Sequence, residues 1–278
     1  MLLTPDGSTQ GKQAGKEHDY TIRDGQFLTA LNQAIQNGEL RLHYQPRFGS
    51  ETRATTMLEA LVRWQRPEVG LLFPEVFLPP AEQHGLIFSL DLWVFEQCCI
   101  DLLWLRKHIN SSLKIAINVS VLECESVYHA QKLIGICDKY GLSLSDFELE
   151  ITERTHIRDF RKVKSFCETL YNLGASFSLD DFGTGQSPLS NLCLLPIDII
   201  KIDRSFIKDL GENKREQILV RNLINMAHDM EIEIVAEGVE FEHQRDMLTD
   251  MGCDQLQGYL LSKPVARDEL NPDLLRLF

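Results

Sequence analysis

Residues 147–152 read FELEIT, and two other runs share the pattern: KIAINVS at 114–120 and FSLDDF at 177–182. Side chains along a strand alternate between its two faces. Phe147, Leu149 and Ile151 therefore point one way, and Glu148 and Glu150 the other. In KIAINVS, Ile115, Ile117 and Val119 oppose Ala116, Asn118 and Ser120. In FSLDDF, Phe177 and Leu179 oppose Ser178 and Asp180, and in EIVAEGV (233–239) Ile234 and Ala236 oppose Val235 and Glu237. The apolar face is expected to pack on helices, which leaves the small or polar face to line a barrel. A barrel interior is normally filled by branched apolar side chains, and a buried carboxylate is costly unless paired or bound to metal. Carboxylates late in strand after strand predict a functional site at the C-terminal mouth.

Four more runs read as strands: LRLHYQPR (40–47), MLEALVRW (57–64), IDIIKID (197–203) and DQLQGYLL (254–261). Segments of helical length separate most of them, including 127–140, 163–173, 216–230 and 242–251. Eight strands with intervening helices predict a closed α/β architecture, the (β/α)₈ or TIM barrel. The 278 residues suit it, since such barrels take about 250. The link between the first two strands is short and polar, so those two could pair as a hairpin. Residues 1–24 are polar without apolar period and read as a tail or linker, with the domain at 25–278. A sensory or partner domain of a larger parent protein could precede it.

A net charge of −13 disfavours polymeric nucleic acid, which needs a basic footprint. It admits a small anionic substrate if cations offset the acids. The seven cysteines are odd in number and form no CxxC pair, so a disulfide framework or zinc site is disfavoured and a reducing cytoplasm fits. The eight histidines are scattered; a metal here is expected to take oxygen ligands, which favours Mg²⁺ or Mn²⁺. No membrane span is visible: the most apolar stretch, Leu90 to Leu105, contains Asp91, Glu96 and Asp101 and reads as a buried helix. The N-terminus lacks the apolar run of a signal peptide.

Seven motifs stand in order: EAL at 59–61 within EALVRW, NVS at 118–120, ELEITE at 148–153, DDFGTG at 180–185, KIDRSF at 201–206, AEGVE at 236–240 and QGY at 257–259. Together they closely resemble the EAL domain family, phosphodiesterases of cyclic di-GMP, from about residue 25 to the C-terminus. The resemblance implies a modified barrel whose first strand runs antiparallel. It implies Mg²⁺- or Mn²⁺-dependent opening of cyclic di-GMP to linear pGpG, with two ions per site. Carried over by position, the metal ligands are Glu59, Asn118, Glu150, Asp180, Asp181 and Glu237. Lys201 holds or polarises the attacking water, and Gln257 completes the polar shell. Glu153 anchors the loop after Asp181, and Gln45 and Arg63 contact the substrate, with Arg63 near a phosphate.

The chemistry suits these residue types. Two cations about 3.5–4 Å apart polarise a phosphoryl oxygen and acidify a water, an ammonium stabilises developing negative charge, and an arginine fork fits a phosphate. Glu237 could instead be a general base. Arg63 could pair with Glu68 at the surface, Gln257 could be an ordinary barrel-mouth amide, and His43 and His84 read as packing or surface residues.

The sequence also departs from the family's pattern. Gln186-Ser187-Pro188 replaces Tyr-Ser-Ser after DDFGTG, in a loop that the resemblance ties to a homodimer contact. Arg47 stands where QPI would place isoleucine, and Met57-Leu58 replaces a segment with glycine. A receptor that binds cyclic di-GMP without turning it over is the alternative to an enzyme, and the retained carboxylates favour the enzyme.

Overall fold

In the computed structural model of the chain, the described residues are 24–52, 54–55, 57–152, 159–184 and 192–275. The alternation read in the sequence appears there as a closed barrel. Its strands are β1 (Leu40–Gly49), β2 (Met57–Arg66), β4 (Lys114–Val119), β5 (Phe147–Thr152), β6 (Ser176–Phe182), β7 (Ile199–Ile202), β8 (Glu233–Ala236) and β9 (Gln255–Leu256). Two short pieces, β3 (Gly70–Leu72) and β10 (Val265–Ala266), extend β2 and β1. Neighbours from β2 through β4 and on to β9 are parallel. β1 is antiparallel to both β2 and β9 and closes the ring. The expected hairpin and the inverted first strand are both present.

The helices wrap the outside: α1 (Asp24–Asn37), α2 (Pro74–Gln83), α3 (Ile87–His108), α4 (Val121–Cys124), α5 (Val127–Tyr140), α6 (Phe160–Tyr171), α7 (Arg204–Ile207), α8 (Lys214–Asp229) and α9 (Glu242–Asp250). Local chemistry sets several of their ends. The Asn213 side chain accepts from Arg215 N–H at the start of α8, and Asp159 does the same for Arg161 at α6. Gly141, at φ 65°, closes α5 in the left-handed conformation. No helix among the described residues is long and apolar enough to cross a membrane; the stretch Leu90–Leu105 lies within α3, with its apolar side chains Leu90, Phe95, Leu102 and Leu105 buried.

The strand faces divide as the alternation predicts. Ile115, Ile117, Phe147, Leu149, Ile151, Phe177, Leu179, Ile200 and Ile234 join one apolar cluster with helix residues such as Val163, Phe166 and Leu170. Phe95 of α3 meets Phe147 of β5 with ring centroids 4.9 Å apart. The other face carries Glu148, Glu150, Ser178 and Lys201, all buried inside the ring.

The strand expected at 254–261 is a correction: only Gln255–Leu256 pairs as strand. Beyond it the chain wraps over Val239. Gln257 N–H donates to Ala236, Val239 N–H to Gln257 and Leu260 N–H to Val239, so the backbone groups are satisfied by the β8 exit rather than by a ladder. A Cβ on Gly258 would lie 2.1 Å from the Val239 carbonyl oxygen, so only glycine fits that crossing. The expected strand 197–203 likewise shortens to Ile199–Ile202, because Asp203 caps α7, accepting from Ser205 N–H at 3.0 Å.

Candidate active site

Lys201 of β7 is fully buried, and four carboxylates surround it. Its ammonium lies 2.7 Å from Glu237 Oε1, 2.8 Å from Glu150 Oε2, 3.3 Å from Asp180 Oδ1 and 3.6 Å from Glu59 Oε2. These acids come from β8's exit, β5, β6 and β2, so the ring itself brings them together. Their exposure rises toward the mouth: the side chain of Glu150 is 0% exposed, Glu59 10%, Asp180 13% and Glu237 20%. One face of the cluster is thus built into the protein, and the other meets solvent.

Amides complete the buried side. Asn118 Nδ2 donates to Glu59 Oε1 at 3.0 Å, and Gln257 Nε2 to Glu59 Oε2 at 2.6 Å. Gln257 also donates to Gln45 Oε1 at 3.2 Å, and Gln45 Nε2 to the Ser262 carbonyl at 3.0 Å. Glu59 sits early in its strand, third of the ten residues of β2. Barrel strands are tilted and staggered, and β2 runs on past the ring to pair with β3, so an early residue of β2 faces a late residue of β4.

Asp180 and Asp181 are adjacent, and regular alternation would send them to opposite faces. The β6–β7 register shifts between Leu179 and Phe182, and Asp181 takes φ 55°. A bulge with a left-handed residue costs on the order of 1 kcal/mol, and aspartate tolerates it better than most. The result is that Asp180, Asp181 and Glu237 offer carboxylate oxygens all within 4.8 Å of one another.

Beneath this layer lies an ion pair that sequence reasoning did not find. Arg47 of β1 grips Glu148 of β5 with both guanidinium nitrogens, Nη1 at 2.9 Å and Nη2 on Oε2, and both residues are buried. Arg47 was legible only as a bulky replacement; its partner lies 101 positions away, and no local pattern links them.

Electrostatics separate the glutamates. Burial raises Glu59, Glu148, Glu150 and Glu237, but Glu59 ends below the ordinary carboxylate range because Lys201, Gln257, Asn118 and Arg47 outweigh it. Glu148 is also lowered: burial opposes, and Arg47 wins. Glu150 is pushed well up by burial and by Glu59 and Asp180, with Lys201 opposing. Burial, aided by Asp180 and Glu59 and opposed by Lys201, holds Glu237 at about 8. Burial would lower Lys201, yet Asp180, Glu150, Glu237 and Glu59 hold it well above the ordinary ammonium value. One ammonium cannot neutralise this set. The donors are hard oxygens, and Glu150 Oε1 and Gln257 Oε1 are buried without a hydrogen-bond partner. Both facts fit a site able to hold a divalent cation.

Arg63 stands farther out on the same face of β2. It is buried, its guanidinium lies 5.0 Å above the half-exposed ring of Phe73, and its electrostatic neighbours are Glu75, Tyr259 and Glu59 rather than Glu68. His84 is exposed and His43 half-buried beside Arg63, both away from the carboxylates. Glu153 and the segment Gln186-Ser187-Pro188 lie outside the described residues.

The sequence profile of the EAL domain matches residues 28–264. The bifunctional diguanylate cyclase/cyclic di-GMP phosphodiesterase MucR of Pseudomonas aeruginosa is 37% identical over 246 residues, 88% of this chain and 36% of that protein. The cyclic di-GMP phosphodiesterase NbdA of the same organism is 37% identical over 240 residues, 86% of this chain and 31% of that protein. The chain therefore spans about a third of the length of these curated relatives. The solved PaMucR phosphodiesterase in complex with c-di-GMP superposes with a TM-score of 0.82 at 37% identity, covering 88% of this chain and 99% of that one. The EAL domain of Mycobacterium smegmatis DcpA superposes with a TM-score of 0.73 at 33% identity, covering 87% and 99%.

Proposed function

The chain belongs to the EAL domain family, and from that premise we propose that it hydrolyses cyclic di-GMP to linear pGpG with bound Mg²⁺ or Mn²⁺. One observation carries the reading: four carboxylates converge on the single buried ammonium of Lys201, and the fifth, Asp181, is turned into the same cluster by a bulge. An anionic phosphodiester would be repelled by such a cluster unless cations offset it.

In this reading Glu59, Asn118, Glu150, Asp180, Asp181 and Glu237 hold two divalent ions. Those ions would supply Lewis acidity at the phosphoryl oxygen and a water acidic enough to attack. Lys201, held protonated, places a fixed positive charge where negative charge develops. Glu237 is the acid best suited to take a proton from an attacking water, since its carboxyl meets Lys201 on one side and solvent on the other. Gln257 and Gln45 hold Glu59 in register across the β1–β2 seam. Arg63 offers its fork to a phosphate. Glu153 would anchor the loop after Asp181, and that loop would carry a homodimer contact. The seven free thiols agree with a reducing cytoplasm, and the relatives' greater length agrees with further signalling domains in the parent protein.

The test is incubation with cyclic di-GMP in Mg²⁺, Mn²⁺ or EDTA, with the nucleotides resolved. Metal-dependent pGpG is expected, and Glu59→Ala should lower turnover on the order of 10²-fold or more. Tight binding without turnover in either metal would make the chain a receptor instead.

A further inference from the structure

A second cluster lies outside the ring. Asp91 comes from α3, Glu123 from α4 and His129 from α5, and each offers one ligand atom within 4.8 Å of the others. Glu123 is 3% exposed and His129 0%. His129 Nε2 lies 3.5 Å from Glu123 Oε2, yet neither imidazole nitrogen has a hydrogen-bond partner, while Glu123 shares a side-chain hydrogen bond with Asp91. A fully buried imidazole with both nitrogens unpartnered is costly, and nothing else among the described residues satisfies it. Its ring is held by Phe88, with centroids 5.1 Å apart, and by Phe166, stacked at 6.0 Å. The orientation is therefore fixed by packing before any ligand arrives. Exposed Glu82 stands at the solvent edge, where its Oε1 accepts from Ser120 Oγ at 3.4 Å.

We propose that Asp91, Glu123 and His129 bind one divalent transition-metal ion of the zinc class, with Glu82 at its entry. An imidazole with two carboxylates is a donor set that borderline ions accept and that Mg²⁺ does not prefer. The site also touches the ring. Ser120 N–H donates to Asp91 Oδ2 at 3.3 Å, and Ser120 follows β4, two residues after the Asn118 that holds Glu59. An ion here would brace the exit of β4.

The experiment uses the whole chain in saturating Mg²⁺ with Zn²⁺ as probe, counting Zn²⁺ retained after dialysis and recording zinc X-ray absorption. Wild-type protein is expected to show an imidazole nitrogen in the zinc shell. His129→Ala and Glu123→Gln should each lower the tightly held Zn²⁺ by one per chain, or weaken it at least tenfold. Asp180→Asn should leave the imidazole signal in place, which separates this site from the barrel mouth. Unchanged Zn²⁺ uptake in His129→Ala would overturn the proposal. If that variant does not fold, wild-type protein whose zinc shell lacks imidazole overturns it equally. Neither outcome bears on hydrolysis of cyclic di-GMP.

Discussion

Replacing Lys201 with methionine removes the one cation common to four acids and keeps most of the unbranched apolar stem. The ammonium lies 2.7 to 3.6 Å from its partners, so at an effective dielectric constant near 20 each attraction amounts to about 5–6 kcal/mol. Against that stands a desolvation penalty of several kcal/mol per buried ion. Glu150 and Glu237, whose carboxyls are already pushed up, leave less repulsion behind than four full charges would. Removing one partner of a buried ionic set costs about 3–5 kcal/mol, and that is the expected destabilisation of Lys201→Met in EDTA at neutral pH. Mg²⁺ should then stabilise the variant more than the wild type. A cation at a hundred times its Kd adds about 2.7 kcal/mol, and the more negative site should bind it more tightly. Urea unfolding, followed by fluorescence of buried Trp64, measures both quantities. A loss under about 1 kcal/mol in EDTA, or a Mg²⁺ gain no greater than that of wild type, would refute the claim that Lys201 neutralises an acid set built for cations.

Arg47→Ile should destabilise the fold by about 3–5 kcal/mol because it strands Glu148 in the barrel, whereas Arg47→Ile with Glu148→Leu should return to within about 1 kcal/mol of wild type; urea unfolding of the cycle checks it. Arg63→Lys should raise KM for cyclic di-GMP by on the order of tenfold with a smaller fall in kcat, since a point charge replaces a planar fork; steady-state kinetics decide, and an unchanged KM would remove Arg63 from the substrate site. Asp146, buried in part but held low by Arg106 at 2.7 Å and by Ser143 N–H, has a folded pKa below its unfolded one. Its contribution is therefore present above the unfolded value and lost as pH falls through the folded one. Asp146→Asn should cost about 1 kcal/mol at neutral pH, with the gap closing in acid as measured by thermal unfolding across pH.

The alternation in FELEIT and FSLDDF was enough to place Glu150 and Asp180 on the ring's inner face, because period two is a property of a regular strand backbone, whereas Lys201 was legible only through the family resemblance. Asp181 was beyond that reasoning. Strict alternation sends it outward, and only a register shift with φ 55° brings it back, which no single-strand pattern announces. The short β9 was over-read for a related reason: Gln257 to Leu261 keeps an apolar rhythm while its backbone bonds go to Val239 and Ala236. Arg47–Glu148 and the cluster of Asp91, Glu123 and His129 were invisible because their partners come from distant elements. Even Glu123 and His129 are six positions apart, a spacing that shares no helix face.

The two ionic layers of the ring explain each other. Arg47 could have served the mouth acids, since Glu150 and Glu59 both act on it. Its two terminal nitrogens are instead committed to Glu148, one layer below, about 6–7 Å along β5 from Glu150. That pairing makes the lower layer neutral and closes the floor of the ring to charge. Lys201 is then left as the only cation in direct contact with the acids above it among the described residues. The deficit is therefore confined to the level where exposure rises from Glu150 to Glu237 and solvent can deliver an ion. A chain of net charge −13 would repel an anionic substrate on average. In the proposed reading the local deficit converts that repulsion into selectivity, because a cation-loaded mouth would accept a phosphodiester that the bare acids would repel.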